Sequence, residues 1–179
     1  MGVLASIIDK SISGSFSSEV FKIGTNAFYS CNNLTEVSFP NATSIGTNAF
    51  YSCNNLTKAS FPNATSIGFS AFYRCNNLTE ASFPNATSIG TNAFELCSSL
   101  TEVSFPVAES IGNYAFRYCS SLTTIYVGTN TSTVCTLSNT NAFNNCTNLT
   151  NIYVPASLVD SYKSATNWSN YASKIKATP

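Results

Sequence analysis

The chain has 179 residues, of which 44% are hydrophobic and only 9% are charged. That length fits one domain, and the hydrophobic content is sufficient to fill a core. Eight acidic and eight basic residues give a net charge of zero, so the chain lacks the basic surface that attracts nucleic acids or anionic lipids. No apolar run approaches the roughly 20 residues of a membrane-spanning helix. We therefore expect neither nucleic-acid binding nor membrane insertion.

The N-terminal segment predicts a cap. Residues 1–10 have neither the basic start nor the long apolar run of a signal peptide, so the protein is either intracellular or a piece excised from a longer, exported chain. Residues 4–8 have the pattern of a strand that would lie in the middle of a longer repeat array, which favours the excised piece. Residues 1–22 resemble a degenerate repeat without cysteine and are predicted to cover the first coil. Their apolar residues include Ile7, Ile8, Ile12, Phe16 and Phe21.

A repeat dominates the rest of the sequence. The dipeptide Ala-Phe recurs every 22 residues in five copies, and a sixth copy follows five residues late. A period of this size predicts a stacked solenoid, in which each unit buries its apolar face against its neighbours. The six phenylalanines of the dipeptide are expected to form one interior column: Phe28, Phe50, Phe72, Phe94, Phe116 and Phe143. The leucines are expected to form another: Leu34, Leu56, Leu78, Leu100, Leu122 and Leu149.

Each unit contains a strand followed by a turn segment. In the first unit Leu34, Val37 and Phe39 have the spacing of a leucine-rich repeat strand, and Pro40 ends it. The apolar residues of the next segment, such as Ala49 and Cys53, recur about every four residues, which predicts a short helical turn on the convex side. Gly46 opens that segment, where a flexible residue or a positive φ is useful.

The repeated phrase Ala-Phe-x-x-Cys-x-x-Leu-x-x-x-x-Phe-Pro resembles the BspA-like leucine-rich repeats over residues 23–155. The predicted fold is an α/β solenoid: a right-handed coil with a parallel β-sheet on its concave face, short helical or 3-10 turns on its convex face, and a C-terminal helical cap. The resemblance also implies a non-enzymatic protein, exposed on the cell surface or secreted, that attaches to host proteins or to other cells.

The C-terminal part of the chain departs from the repeat. Residues 128–139 are rich in Thr and Ser and are interpreted as an insertion within the six repeats of residues 23–155. After Pro155 the apolar residues adopt helical spacing, and residues 156–179 are predicted to form two short helices that cover the last coil. The second helix is expected to bury Trp168 and to continue through Ile175.

Seven cysteines suggest metal binding or disulfides, but six of them occupy one position of the repeat. No C-x-x-C motif and no histidine are present, so a zinc site is not expected. Stacked neighbours would point their side chains in parallel inside a packed column, which is poor geometry for a disulfide. Buried free thiols are therefore the favoured interpretation. Cys135 lies outside the column, in the insertion, and is predicted to be the most reactive thiol.

Catalysis has little support in the sequence. Without histidine, neither a Ser-His-Asp nor a Cys-His arrangement can form, and no glycine-rich phosphate loop is present. Glu80 and Glu102 are expected about 5 Å apart, as in a retaining glycosidase. They belong, however, to an outward row on an open sheet, completed by Glu36, Lys58, Thr124 and Asn151, where no wall excludes water. We expect no enzyme activity, no metal and no cofactor.

The outward positions that vary are the candidate ligand-binding site. Four outward serines give way to Tyr126 and Tyr153 in the last two strands. Exposed tyrosines favour a contact patch, although they could equally pack on the insertion. The predicted binding residues on the concave sheet are Glu36, Lys58, Glu80, Glu102, Tyr126, Tyr153 and Asn151. The predicted function is adhesion to a protein or glycan ligand; the alternative is a structural spacer or attachment part of a larger assembly, such as a phage tail or cell-wall protein.

Overall fold

The structure, a computed structural model, describes Gly14–Ser15 and residues 21–179. The cap predicted over residues 1–22 therefore lies largely outside the described residues. The strands and the α-helix of the described chain are, in order, β1 Gly14–Ser15, β2 Lys22–Ile23, β3 Glu36–Ser38, β4 Ser44–Ile45, β5 Lys58–Ser60, β6 Ser66–Ile67, β7 Glu80–Ser82, β8 Ser88–Ile89, β9 Glu102–Phe105, β10 Ser110–Ile111, β11 Thr124–Val127, β12 Thr136–Leu137, β13 Asn151–Val154, α1 Val159–Ser164 and β14 Ile175–Ala177.

The strands form two parallel sheets that run along a solenoid. One has eight strands in the order β1-β3-β5-β7-β9-β11-β13-β14, and the other has six in the order β12-β10-β8-β6-β4-β2. Each coil from β1 to β12 contributes one strand to each sheet, whereas β13 and β14 both belong to the eight-stranded sheet. Equivalent residues of neighbouring coils are paired, as Val37 is with Ala59. The predicted solenoid with a parallel sheet is confirmed. The six-stranded sheet is an additional finding.

The six-stranded sheet was not predicted because its strands are only two residues long. Ser44 and Ile45, for example, pair with Ser66 and Ile67. A dipeptide is too short for the alternation of polar and apolar residues by which a strand is recognised in a sequence. The sheet continues into residues 128–139, since β12 pairs with β10 at the same position of the coil.

The third side of each coil is a chain of tight turns. Amide N–H groups donate to the carbonyl three residues earlier, as Tyr51 does to Asn48 (3.1 Å) and Cys53 to Phe50 (3.2 Å). Left-handed backbone at Asn48 (φ 52°) and Ser52 (φ 55°) prevents these turns from continuing as a helix. The predicted turns are thus present as separate turns, and a 3-10 helix forms on this side at Thr140–Phe143.

The glycine that precedes the turn segment is required by close packing at Gly46, Gly68, Gly90 and Gly112. Gly46 is not among the residues with positive φ, so the positive φ offered as one reason for this glycine is wrong. A Cβ at Gly46 would lie 2.8 Å from the carbonyl carbon of Gly24 in the preceding coil, and one at Gly68 would lie 2.7 Å from that of Gly46. Only glycine allows the coils to approach this closely.

The core consists of columns that run the length of the solenoid. The rings of the Ala-Phe phenylalanines are stacked nearly parallel, with centroids 5.0 Å apart for Phe28 and Phe50 and 5.5 Å apart for Phe116 and Phe143. The six cysteines of the repeat form a second buried column of free thiols, as predicted. Each thiol from the second coil onward also donates to a phenylalanine carbonyl of the preceding coil, as Cys75 Sγ does to Phe50 (3.1 Å).

The C-terminal segment caps the last coil with helices and a strand. The 3-10 helix Ala156–Leu158 leads into α1, a further 3-10 helix spans Trp168–Lys174, and Trp168 is buried as expected. The predicted continuation of the second helix through Ile175 is wrong: Ile175 begins β14 and pairs with Ile152. The strand pairing wins because it satisfies backbone groups on the free edge of β13, which would otherwise be exposed.

The glycine column gives a direct test of the coil spacing. We expect Gly68→Ala to lower the free energy of unfolding by roughly 2–3 kcal/mol, because the new Cβ overlaps backbone atoms that cannot move independently. Gly24→Ala is the matched control, since no described atom lies within 4 Å of its Cβ position. Urea unfolding of both variants measures the difference. Equal stabilities would contradict the close approach of the coils.

Candidate functional site

The candidate site is the outward surface of the eight-stranded sheet, called here the sheet face. Two rows of side chains run across it, each formed by equivalent residues of successive strands. The charged row contains Glu36, Lys58, Glu80, Glu102, Thr124 and Asn151. The serine–tyrosine row contains Ser38, Ser60, Ser82, Ser104, Tyr126, Tyr153 and Lys176. The structure thus brings all seven predicted binding residues onto one surface.

The charged row is exposed and is only partly neutralised. Lys58 Nζ lies 3.1 Å from Glu80 Oε1, and the hydrogen bond and charge of Glu80 raise the pKa of Lys58. Within the described residues neither Glu36 nor Glu102 forms an ion pair. The row therefore carries an excess of negative charge. Because its carboxylates stand on an open surface, the arrangement suits ligand binding rather than acid–base catalysis.

A shallow groove of about 730 Å³ follows the first four long strands of the sheet face. Its floor is formed by small residues, among them Ser60, Ala59 and Ser82, and the long side chains of the charged row line it. The groove stops at β9. On the next strand the serine–tyrosine row changes from Ser104 to Tyr126.

The two tyrosines form a stacked pair beyond the end of the groove. Their ring centroids are 5.0 Å apart, at an interplanar angle of 24°, and both side chains are partly exposed. Burial, together with the negative charge of Glu102 and the neighbouring Tyr153, raises the pKa of Tyr126. On its other side Tyr126 pairs with the exposed Ser104, which carries no ring.

A hydrogen-bonded network flanks the tyrosine pair. Lys176 Nζ donates to Asn151 Oδ1 (2.6 Å), and Asn151 Nδ2 donates to Thr124 Oγ1 (3.3 Å). Thr124 was expected on the exposed row, but it is only 8% exposed, since Asn151 and its neighbours cover it. Sequence reasoning missed Lys176 because the segment was assigned to a helix; the alternation of Ile175, Lys176 and Ala177 was the available signal.

The prediction that Cys135 is the most reactive thiol is wrong. Its side chain is 1% exposed, and burial raises the pKa of its thiol to about 12. The backbone of Cys135 also holds the cap: its N–H donates to the Tyr162 hydroxyl (2.9 Å), and its carbonyl accepts from Trp168 Nε1 (2.6 Å). The thiol is thus enclosed between the insertion and the cap.

Residues 21–179 contain no cluster of three or more His, Cys, Asp or Glu side chains that could hold a metal ion. Over the described part of the chain, every helix is too short or too polar to cross a bilayer.

Sequence reasoning also overlooked an aromatic strip on the turn side. Tyr29, Tyr51 and Tyr73 are stacked with centroids 4.8 Å apart, and Phe69 is 49% exposed. Farther along, the guanidinium of Arg117 lies 4.8 Å from the ring centroids of both Tyr114 and Tyr118, and its Nε is 3.1 Å from Glu95. These residues flank the Ala-Phe dipeptides, a segment from which the sequence analysis predicted only interior columns.

The repeat architecture is similar to that of known bacterial proteins. The family model for the BspA type leucine rich repeat region matches residues 10–123 and 65–177 in six copies. The crystal structure of the T. pallidum leucine rich repeat protein is 26% identical, with a TM-score of 0.73 over 96% of this chain and 88% of that one. No curated protein matches the chain.

Two larger proteins are also similar. A leucine-rich repeat protein from Bacteroides ovatus is 27% identical, with a TM-score of 0.74, and the match covers 93% of this chain but 42% of that one. A leucine rich cell surface protein from Faecalibacterium prausnitzii is 28% identical, with a TM-score of 0.57, over 77% of this chain and 46% of that one. The chain thus spans less than half the length of these two neighbours.

The burial of Cys135 predicts a pH effect on stability. Its thiol pKa is about 12 in the fold and 9.0 ordinarily, so the unfolded chain loses this proton first as the pH rises. The stability that the fold gains by keeping this thiol protonated is therefore fully present below pH 9 and is lost between pH 9 and 12. Between pH 8 and pH 10 the stability advantage of the wild type over Cys135→Ala should shrink by about 1.4 kcal/mol.

Urea unfolding at both pH values measures this change, and the other cysteines cancel because both proteins contain them. An advantage that stays constant between pH 8 and pH 10 would show that the thiol titrates normally in the fold.

Proposed function

The chain belongs to the BspA-type leucine-rich repeat family, and from this premise we propose that it is a non-enzymatic adhesion module that binds a macromolecular ligand through the sheet face. The observation that carries the proposal is the combination of an open groove with a stacked tyrosine pair at its end. Tyrosine supplies a large, amphipathic contact area at little cost in side-chain entropy. The ligand is a protein or a glycan.

Repetition of the sheet face suits a repetitive ligand. Equivalent side chains recur on successive strands about 4.8 Å apart, so a polymer laid along the solenoid meets the same groups several times. Individual contacts between exposed polar groups are weak, but several contacts on one chain raise the effective concentration for each further contact. Adhesion of this kind needs no deep pocket, which agrees with the shallow groove.

We place the module at the bacterial cell surface or in the secreted fraction, as part of a longer chain. Proteins of this family are often surface-associated, and one structural neighbour is described as a cell surface protein. The two longer neighbours supply the precedent for additional segments, since this chain corresponds to less than half of each.

A structural spacer is the second candidate. It is favoured by the backbone hydrogen bonds that join neighbouring coils on all three sides, which make the solenoid stiff along its axis. A spacer has no need of the tyrosine pair or of unpaired carboxylates on the sheet face, and we therefore prefer the adhesion module.

An array of host proteins and glycans tests the proposal. We expect the wild type to bind at least one ligand, and we expect binding to be lost when Glu36, Lys58, Glu80, Glu102, Tyr126, Tyr153 and Asn151 are replaced by Ala. The control replaces Tyr29, Tyr51 and Tyr73 on the turn side and should bind normally. Retained binding in the sheet-face variant would overturn the assignment of the surface, and a wild type that binds nothing would favour the spacer.

A further inference from the structure

The sheet face, the proposed binding surface, has one position where an aromatic ring face is open to a ligand. We infer that the side of Tyr126 that faces Ser104 is the stacking platform for a sugar ring of a neutral polysaccharide lying in the groove. This inference rests on the proposed function, because it assigns the ligand class of the same surface.

Tyr126 is held in position by the residue behind it. Its ring stacks on Tyr153 at 5.0 Å, so one face is covered by a second ring. The opposite face lies toward β9, where the paired residue is the exposed Ser104, and Ser82 is the next in the row. Serine is too short to cover a ring on the neighbouring strand. The apolar face of Tyr126 is therefore turned toward the end of the groove, one strand beyond its lining residues, by a rigid support.

Groups that bind hydroxyls surround this ring face. The carboxylate of Glu102 pairs with no cation in the described chain and is close enough for its charge to act on Tyr126. Ser82 and Ser104 add hydroxyls that both donate and accept. A pyranose has apolar C–H faces and a rim of hydroxyls, so an aromatic face beside a carboxylate and hydroxyls matches both of its surfaces.

The sheet face fits a sugar better than a protein. The core of a protein interface is enriched in large apolar residues and depleted in charged ones. The large hydrophobic side chains most exposed in the described chain are Phe21, Tyr29, Phe69 and Tyr118, and none of them lies on the sheet face. The sheet face presents serines, carboxylates and one tyrosine pair instead, which is a surface made mainly of hydroxyl-binding groups.

The charge of the groove selects among polysaccharides. Glu36, Glu80 and Glu102 face one lysine, Lys58, which is already paired with Glu80 at 3.1 Å. An acidic polysaccharide would bring further negative charge onto this row and would be repelled. A neutral polymer meets no such penalty, so the structure favours neutral sugars.

Affinity electrophoresis of the full chain tests the inference. Native gels contain glucomannan, xylan, laminarin or pullulan as neutral probes, or polygalacturonate as an acidic one. We expect at least one neutral probe to retard the wild type and polygalacturonate not to retard it. Tyr126→Ser should weaken that retardation about tenfold or more, and Glu102→Gln should weaken it as well. Tyr51→Asn, on the turn side, is the control and should migrate like the wild type in every gel.

Both variants should fold. Serine stands at the position of Tyr126 in the four preceding coils, and Glu102→Gln keeps the shape of an exposed side chain. A wild type that no neutral probe retards would overturn the sugar inference, as would retardation unaffected by Tyr126→Ser or retardation by polygalacturonate alone. If a protein on the array binds the sheet face while every neutral polysaccharide fails, the adhesion module stands and only the sugar inference is lost.

Discussion

The structure depends on one constraint: each coil satisfies most of its backbone hydrogen bonds with the coils before and after it. In the coil around Phe61 the eight-stranded sheet, the six-stranded sheet and the turn side all contribute such bonds, for example from Phe61 to Ser82, from Gly68 to Ile45 and from Phe72 to Ala93. An unpaired amide or carbonyl in the interior would be costly, so neighbouring coils must stay in exact register. The glycine column and the stacked phenylalanines follow, because a larger residue at either position would push neighbouring coils apart.

The same constraint separates the scaffold from the candidate site. Most interior positions repeat because a change in one coil would disturb its two neighbours, and where they vary, as from Val37 to Ala59 and from Val103 to Ile125, they remain apolar. Outward positions of the sheet face are not constrained by packing against neighbouring coils. One row of them changes from four serines to Tyr126 and Tyr153. Even the cysteines belong to the scaffold, since their thiols are buried and donate to carbonyls of the preceding coil. The residues that depart from the repeat on the sheet face are therefore the candidates for ligand binding.

The repeat period was sufficient to predict the solenoid, one parallel sheet along it and the phenylalanine and leucine columns, since each follows from stacking equivalent residues. Features that depend on a few local residues could not be predicted. The dipeptide strands of the second sheet show no alternation, and Cys135 is buried only because Tyr162 and Trp168 fold back over it. Lys176 lies on the sheet face because β14 pairs with the edge of β13. The spacing of its apolar neighbours also fits a helix, so the sequence did not single out this pairing.

Native-state hydrogen exchange, read amide by amide by NMR, tests the central claim that a coil is one cooperative unit. The amides of Gly68, Phe61 and Phe72 donate to neighbouring coils from the six-stranded sheet, the eight-stranded sheet and the turn side, respectively. If the three sides open together, their free energies of opening should agree within about 0.5 kcal/mol. A Phe72 amide that opens at a free energy lower by about 2 kcal/mol or more would show that the turn side unfolds separately, which would contradict the claim.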